Sequence, residues 1–458
     1  MANFLPMKTR PLPPLPWGPE NTVTLRFIGL FCVIGLGLLG FVHQRFGHMI
    51  VQDRFQLSGF LTLLALTGAG ALLMRASPKW LLGLAVCVRL AWFINEPAFT
   101  DDHFRYLHEG QASLTHLAAP YNFPPADLVH QPGHPWAAQV NHAQVTSSYF
   151  PLLQLFFALT AVMGALAGHQ LLWLQLMLML FEMGLLFFIW RHSLSNQPTQ
   201  SSSFAMYAFH PLPLLEVYGN SHSDIIGVFL LVISVFSLQR FQLWRALLLA
   251  AAAHVKPFIL AFLLFLGDTK RKKLFAWACL FFFGMMLPHY LLGANVMGGF
   301  FTYAEHWHAF SVGFDFFDAL LRLVHPHASG WIPRLACGAG WLCSLFFIWR
   351  SDSDNMSQDT RLFWTMFTFW LFFPTVHPWY LLWLLPFACM DRNTFGWLWC
   401  AIWLGHYLVL PNFHAGMGWQ EPLWPRLILI SGGLGLLTWK LLRRASREKT
   451  PTSKDCAS

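Results

Sequence analysis

Residues 26–43 read RFIGLFCVIGLGLLGFVH and carry one formally charged side chain, that of Arg26. A helix needs about 20 mainly apolar residues to cross the hydrocarbon core of a bilayer. Comparable stretches recur along the chain of 458 residues, of which 56% are hydrophobic and 11% charged. A soluble domain carries about 25% charged residues. The sequence therefore predicts an all-α polytopic membrane protein.

Apolar stretches of this kind predict a helical bundle with about 12–14 transmembrane helices. The candidate spans lie near residues 26–43, 57–74, 80–95, 171–190, 203–218, 223–240, 244–254, 257–267, 274–292, 332–349, 362–377, 379–390, 394–410 and 425–442. The two spans that flank Lys256 and the one after His377 are short. Half-spans or re-entrant helices, whose ends are covered by protein, would explain them.

The distribution of Lys and Arg indicates the orientation. With a cytoplasmic N-terminus, about 21 of the 29 basic residues lie in inside segments and about six in outside segments. Both termini are then cytoplasmic, and residues 96–170, 293–331 and 411–424 face outward. Within the first outer segment, Tyr149 to Gly164 is expected to form an amphipathic helix in the membrane interface.

Composition also excludes some classes of protein. The basic residues stand in short runs between apolar stretches, so no nucleic-acid-binding patch is indicated. The eight cysteines show no CxxC and no paired spacing, so neither a zinc site nor a disulfide framework is predicted.

The densest polar motif is Glu96–Gly110, EPAFTDDHFRYLHEG, which follows the third predicted span. Its carboxylates would lie at the outer membrane surface, where a lipid-linked phosphosugar presents its anomeric carbon. Transfer to a hydroxyl needs a carboxylate base and a cation for the leaving phosphate. Asp102 and Arg105 share a face if the segment is helical. Acidic residues at the start of a helix can also simply complement its dipole.

The run Asp101–Gly110, DDHFRYLHEG, resembles the acidic first-loop motif of bacterial GT-C-type polyprenyl-phosphate-dependent mannosyltransferase-like membrane glycosyltransferases, approximately D-D-x-x-R-Y-L-W-D-G. Further segments are similar to motifs of that family and occur in the same order. These are APY at 119–121, VNH at 140–142, SYFPL at 148–152, GNSHSD at 219–224, HVKP at 254–257 and HPWY at 377–380.

The resemblance implies a GT-C-like helical bundle with a long first catalytic outer loop. A sugar, mannose or a related hexose, would move from a polyprenyl-phosphate carrier to an acceptor hydroxyl of a glycan or lipid glycan, with inversion. Asp102 would be the base, with Asp101 beside it. Membrane lipids are the other partners. The implied location is the bacterial inner membrane, with the site facing outward.

The resulting organisation has four parts. These are an N-terminal tail with three helices (1–95), an outer catalytic loop (96–170), a transmembrane bundle with outer loops (171–442) and a cytoplasmic tail (443–458). The candidate residues for binding the donor or substrate are Arg105, Tyr106, Lys256, Asn220, His222, Asp224, His377 and Tyr380. No metal ligand is assigned and no cofactor is certain, with a divalent cation left open, because no H-x-x-x-H or equivalent spacing occurs.

Several residues have alternative interpretations. Lys256 can bind the lipid phosphate or extend to the interface. Asp224 can recognise substrate or cap the helix that follows it, and His377 can line the site or belong to an aromatic interface belt. Arg89, at membrane depth, is expected to form a structural ion pair with Glu182.

Two other functions compete with sugar transfer. A secondary transporter or lipid-sugar flippase would be expected to show internal repeats with polar groups at the membrane midplane, and no repeat is visible. A non-catalytic scaffold would leave the ordered Asp, Asn, His and Lys motifs without a role.

Overall fold

The computed structural model describes residues 19–74, 76–196, 202–237, 240–263, 271–325, 330–350, 357–428 and 430–432. Regular structure in these ranges is helical, apart from one isolated bridge between Ala309 and Thr375. The predicted all-α class is confirmed. The predicted tail 443–458 lies outside the described residues, as does most of the predicted span 425–442.

The first three predicted spans form three helices, α1 (Pro19–Ile50), α2 (Arg54–Ala71) and α3 (Pro78–Trp92). The side chain of Asp53 begins α2 by accepting a hydrogen bond from the Gln56 amide at 2.7 Å, as an N-cap residue does. α1 packs against both of the other helices. This unit ends directly before the acidic motif and therefore sets the position of that motif.

The first outer segment contains five helical elements before the chain enters a long helix. They are α4 (Asp102–Thr115), α5 (Ala119–Asn122), α6 (Pro125–Leu128), a 3-10 turn (Ala137–Gln139) and α7 (Pro151–Ala167), followed by α8 (Gln170–Asn196). The helix expected over Tyr149 to Gly164 corresponds to α7, which begins at Pro151 because proline fits the first helical position. α7 packs along α4.

The expectation of one continuous span over 203–218 was wrong. The segment is divided into α9 (Ser202–Ala208), α10 (Pro211–Pro213) and a π-helical turn (Leu214–Gly219). His210 is extended, with φ −69° and ψ 135°, as expected for a residue that precedes a proline. Pro211 and Pro213 also lack the amide hydrogens that a continuous helix would use.

The break predicted at Lys256 is present. α11 (Asp224–Phe236) is followed by α12 (Gln242–Val255), which ends at Lys256, and then by α13 (Phe258–Leu263). Lys256 is extended, with φ −144° and ψ 113°, and precedes Pro257, which disfavours a helical conformation at Lys256. The lysine thus lies at the junction of two helix ends.

The rest of the described chain is also helical. It comprises α14 (Arg271–Leu291), α15 (Gly298–His306), α16 (Gly313–Val324), α17 (Trp331–Arg350), α18 (Gln358–Phe372), a 3-10 segment (Pro378–Trp383), α19 (Leu385–Met390), α20 (Thr394–Trp403), a second 3-10 segment (Leu404–Val409) and α21 (Leu410–His414). The predicted span 379–390 begins as 3-10 helix, and 394–410 ends as one.

Four of the described helices are long and apolar enough to cross a membrane. They cover Val23–Ile50, Gln170–Ser195, Lys272–Leu291 and Trp331–Ile348. The other predicted spans within the described residues are shorter or interrupted helices. Large apolar side chains such as Phe31, Leu180 and Leu335 are exposed on the long helices, as expected for surfaces that face lipid.

The ion pair expected between Arg89 and Glu182 is confirmed. Arg89 Nε and Nη2 donate to the two carboxylate oxygens of Glu182 at 2.8 and 2.7 Å, and the side chains are 1% and 0% exposed. Arg89 also donates to the carbonyl oxygen of Ala208, and Tyr218 donates to Glu182 at 2.8 Å. The pair therefore joins α3 and α8 to the interrupted segment that follows.

Candidate active site

The two acidic residues of the motif lie at the N-terminus of α4. Asp101 is the N-cap residue and Asp102 the first residue of the helix. The Asn141 side-chain amide donates to one oxygen of Asp101 at 2.6 Å and to one oxygen of Asp102 at 3.1 Å. A single amide from the loop at 140–150 therefore holds both carboxylates. Asn141 occurs in the VNH motif, but the sequence did not indicate this role.

Arg105 holds the same loop from inside the protein. Its guanidinium donates to the carbonyl oxygens of Asn141 at 2.7 Å, His142 at 3.0 Å and Val145 at 3.1 Å. It also contacts the Glu109 carboxylate at 3.3 Å. Planar guanidinium groups suit such multiple recognition. The contacts indicate that Arg105 orders the loop that carries Asn141.

The Glu109 carboxylate contacts Arg105 and belongs to a buried hydrogen-bond network. Its carboxylate accepts hydrogen bonds from the Ser147 hydroxyl at 2.7 Å and from the Gln154 side-chain amide. Burial raises the pKa of Glu109, and the nearby Arg105 guanidinium opposes this shift. A buried carboxylate that is hydrogen-bonded to three side chains holds those side chains in place. This network links α4 and α7 beneath the acidic motif.

His222 lies between two carboxylates. Its Nδ1 is 3.9 Å from Asp102 Oδ2, and its Nε2 is 3.5 Å from Glu216 Oε2. Glu216 belongs to the π-helical turn and accepts hydrogen bonds from the Tyr407 hydroxyl at 2.8 Å and the Asn220 amide at 3.2 Å. Sequence reasoning missed Glu216 and Tyr407. A carboxylate within an apolar stretch was the signal that could have identified Glu216.

Lys256 approaches this site from the break between α12 and α13. Its ammonium nitrogen is 3.9 Å from the centroid of the Tyr380 ring, a cation–π distance. The Tyr380 hydroxyl is 2.6 Å from that of Tyr303, another residue not identified from the sequence. Among the described residues, no carboxylate lies within 4.0 Å of the Lys256 ammonium. Lys256 is thus a cation without an ion-pair partner among the residues that the structure describes.

The rings of His222, Trp379 and His377 form one stack. The Trp379 ring lies 4.0 Å from that of His222, at an interplanar angle of 13°, and 4.4 Å from that of His377, at 3°. His377 is therefore brought to the same site as His222.

Tyr106 is buried against the ring of Phe157 at 4.8 Å, in a stacked arrangement.

Of the two roles expected for Asp224, helix capping is not seen at the N-cap position, and substrate recognition stays a prediction. Ser223 is the N-cap residue of α11, and Asp224 is the first helical residue. One carboxylate oxygen of Asp224 accepts a hydrogen bond from Trp383 Nε1 at 2.7 Å. Asp224 therefore fixes the 3-10 segment that carries Tyr380.

The surroundings of Asp102 raise the pKa of its carboxyl group, which makes the carboxylate a better proton acceptor. Burial, together with the negative charge of Asp101, raises the pKa of Asp102 to about 6. The Asn141 hydrogen bond and the positive charges of Arg105 and Lys256 oppose that shift. The Asp102 side chain keeps 22% of its surface exposed. It can thus reach a substrate, and near neutral pH its carboxylate is ionised yet basic.

Within the described ranges, no group of three or more His, Cys, Asp and Glu side chains is arranged to hold a metal ion. The divalent cation that the sequence leaves open stays a prediction without named ligands.

The all-α fold brings the carboxylates of Asp101 and Asp102 and the ammonium of Lys256 to one site, and group transfer can use a carboxylate as a base and a cation to stabilise a leaving group. Residues 7–269 match the family model described as alpha-(1->6)-mannopyranosyltransferase, N-terminal domain. The chain belongs to this family and is a glycosyltransferase of the mannosyl type. Neither curated proteins nor solved structures give a match. The matched residues include Asp102, Glu216 and Lys256 and end before Tyr380.

Proposed function

We propose that the protein transfers mannose from a polyprenyl-phosphate carrier to a hydroxyl of a glycan or lipid-glycan acceptor. The reaction takes place on the outer face of a bacterial inner membrane. The observation that carries the proposal is that one site contains Asp102, a partly exposed carboxylate, and Lys256, a cation with no carboxylate within 4.0 Å among the described residues. The excess of basic residues in the predicted inside segments supports the outward orientation.

The mechanism follows from these two groups. The acceptor oxygen attacks the anomeric carbon while its proton passes to Asp102. The bond between that carbon and the phosphate oxygen breaks, and its electron pair leaves with the polyprenyl phosphate. The Lys256 ammonium stabilises the growing negative charge on the phosphate. A single displacement from the opposite side inverts the anomeric configuration.

The remaining site residues support these two groups. Tyr380 orients Lys256 through its ring, and Asp224 holds the segment that carries Tyr380. The contacts of Arg105 favour loop ordering over its expected role at the donor phosphate, which leaves Lys256 as the phosphate cation. Asn220 donates a hydrogen bond to Glu216, His222 lies 3.9 Å from Asp102, and the His377 ring stacks on the Trp379 ring, so these three residues position their neighbours.

The proposal is tested with purified protein in nanodiscs, a mannosyl polyprenyl phosphate donor and a mannose oligosaccharide acceptor. Asp102→Asn should lower transfer by about 10²–10⁴-fold with unchanged thermal unfolding, because general base catalysis contributes about that much. Lys256→Gln should lower turnover and weaken donor binding. Asp127→Asn is the matched control, because Asp127 is an exposed carboxylate of the same loop.

Three outcomes would contradict the proposal. They are normal transfer by Asp102→Asn, transfer from a nucleotide-linked mannose while the lipid-linked donor stays inert, and flux of the lipid-linked sugar across a vesicle membrane without transfer. The last result would favour a flippase. Retention of the donor's anomeric configuration in the product would exclude the single displacement.

A further inference from the structure

We propose that Trp307 and His142 form the subsite for the acceptor sugar, with the sugar ring lying in the corner between their two aromatic rings. The inference rests on the proposed transfer of mannose and adds the place where the acceptor binds. Asp102 is otherwise the only group assigned to the acceptor, and a base alone does not hold a sugar. Trp307 lies beyond residue 269, where the match to the family model ends.

The rings of His142 and Trp307 meet almost at a right angle. Their centroids are 4.7 Å apart, and the angle between their planes is 75°. His142 is exposed and Trp307 is partly exposed. Two planar rings in this arrangement form a corner that a ligand can reach from outside the protein.

The His142 side of the corner belongs to the loop that holds the proposed base. His142 follows Asn141, whose side-chain amide donates to Asp101 at 2.6 Å and to Asp102 at 3.1 Å. Arg105 donates to the backbone carbonyl oxygens of both Asn141 and His142. One guanidinium thus fixes the residue that holds the base and the residue that forms a wall of the corner.

The backbone of His142 is strained where the corner is formed. Its φ is 47°, in the left-handed region that non-glycine residues seldom adopt. Strain of this kind is found at functional sites, where surrounding contacts maintain it. Here the contact is the hydrogen bond from Arg105 to the His142 carbonyl oxygen, at 3.0 Å. The strained conformation presents the imidazole to Trp307.

The Trp307 side of the corner is connected to the proposed phosphate cation. The Tyr303 ring stacks on the indole, at 5.2 Å and 25°. The Tyr303 hydroxyl is 2.6 Å from that of Tyr380, whose ring lies beneath the Lys256 ammonium. Arg334 donates to the backbone carbonyl oxygen of Trp307 at 3.2 Å. The indole is therefore held in place at both its ring and its backbone.

The charges of the site act on the residue that packs against Trp307. Burial and the neighbouring Tyr380 raise the pKa of the Tyr303 hydroxyl. The negative charge of Asp102 adds to this shift, and the positive charge of Lys256 opposes it. Tyr303 is thus within electrostatic reach of both groups, which places the corner beside the reacting atoms.

The direction of the reaction assigns the corner to the acceptor and not to the donor. A displacement with inversion needs the acceptor oxygen on the side of the anomeric carbon opposite the phosphate. Lys256 holds the phosphate in the proposed mechanism, so the acceptor binds on the side of Asp102. His142 lies on that side, because it follows the asparagine that holds Asp102.

The two rings suit the chemistry of a hexose. The C–H bonds on one face of the sugar can pack on the indole, where many weak dispersion contacts add up. Partial loss of hydration and the nearby Arg105 charge lower the pKa of His142, against the opposing charge of Asp101. A neutral imidazole has one donor and one acceptor nitrogen for sugar hydroxyls. Within the described ranges, these nitrogens make no hydrogen bond.

The experiment measures transfer to α-(1→6)-linked mannobiose by protein in nanodiscs, at varied acceptor and donor concentrations. Trp307→Leu removes the ring but keeps an apolar side chain. It should raise the acceptor KM about tenfold, which corresponds to about 1.4 kcal/mol, with kcat and the donor KM close to those of the wild type. His142→Gly should also raise the acceptor KM. Glycine adopts a positive φ without steric cost, so the loop keeps its path.

Trp173→Leu is the matched control. Trp173 is a partly exposed tryptophan near the start of α8, and its indole donates to the Gly168 carbonyl oxygen at 3.1 Å. Its loss should leave both KM values unchanged. If Trp307→Leu does not fold, Trp307→Phe and His142→Gly decide the question. An unchanged acceptor KM in the variants of both residues would overturn the inference. So would a raised donor KM with an unchanged acceptor KM, which would assign the corner to the donor.

A second readout does not depend on the donor. Saturation-transfer NMR should detect mannobiose bound to the donor-free wild type and to Trp173→Leu, and Trp307→Leu should lose most of the signal. Equal signals from the wild type and Trp307→Leu, or no signal from the wild type, would overturn the inference even if transfer proceeds. Binding that depends on Trp307 in a protein inert toward the lipid-linked donor would refute the proposed function alone.

Discussion

Replacing Arg105 with lysine separates two roles for this residue. The change keeps the positive charge but removes the planar guanidinium, which donates to three loop carbonyls and contacts Glu109. If Arg105 binds the donor phosphate, the retained charge should preserve much of its effect. If it orders the loop around Asn141, the lysine should fail because one ammonium cannot reach all four acceptors.

The magnitude follows from the hydrogen bonds lost. A lysine at this position can keep about two of the four contacts. A hydrogen bond to a charged group contributes about 1.5–3 kcal/mol. Because water can reach the partly buried carbonyls of Asn141 and His142, the expected loss of stability is about 2–4 kcal/mol. A displacement of Asn141 by about 1 Å would lower turnover by about 10²-fold.

The assay combines thermal unfolding in detergent with steady-state transfer at varied donor concentration. Arg105→Lys should unfold at lower temperature and lose kcat, with a KM for the donor close to that of the wild type. Unchanged unfolding together with a raised donor KM would refute the loop role and return Arg105 to the phosphate.

Two further changes test the packing that supports the site. Glu182→Gln leaves the buried Arg89 without its charge partner and should destabilise the protein by about 3–5 kcal/mol; a thermal unfolding curve like that of the wild type would show that the pair is dispensable. Gly110→Ala should also destabilise, because its Cβ would lie 2.7 Å from the carbonyl carbon of Phe157. Gly59→Ala, where nothing lies within 4 Å of the new Cβ, is the control and should be neutral or stabilising by about 0.5–1 kcal/mol.

Much of the fold could be predicted because its signals are local. Apolar stretches identified the long helices α1, α8, α14 and α17 but not α15 and α16, and the sequence Lys256-Pro257 predicted the break between α12 and α13. The ion pair between Arg89 and Glu182 was also predictable, because a charge at membrane depth needs an opposite charge. Each of these inferences depends on the free energy that a residue of that type costs in its immediate surroundings, for example a proline within a helix or a charge at membrane depth.

The rest of the site depends on contacts between distant parts of the chain. Glu216 meets Tyr407, 191 positions away, and Asn141 meets Asp102, 39 positions away. Periodicity indicates which face of a helix is apolar but not which loop covers its end. The interruption of 203–218 was missed because its composition is that of a span, although Pro211 and Pro213 were visible in the sequence.

Among the described residues, three of the six non-glycine residues with positive φ lie in segments next to the proposed base. Ile94, His142 and Ser221 have φ values of 62°, 47° and 61°, in the left-handed region that costs a non-glycine residue about 1–3 kcal/mol. Ser221 follows the π-helical turn, His142 follows Asn141, and Ile94 precedes the acidic motif. π-helical turns are themselves often found at functional sites. Because hydrogen bonds of Arg105, Asn220 and Asn141 hold these segments, the carboxylates stay in place before substrate arrives.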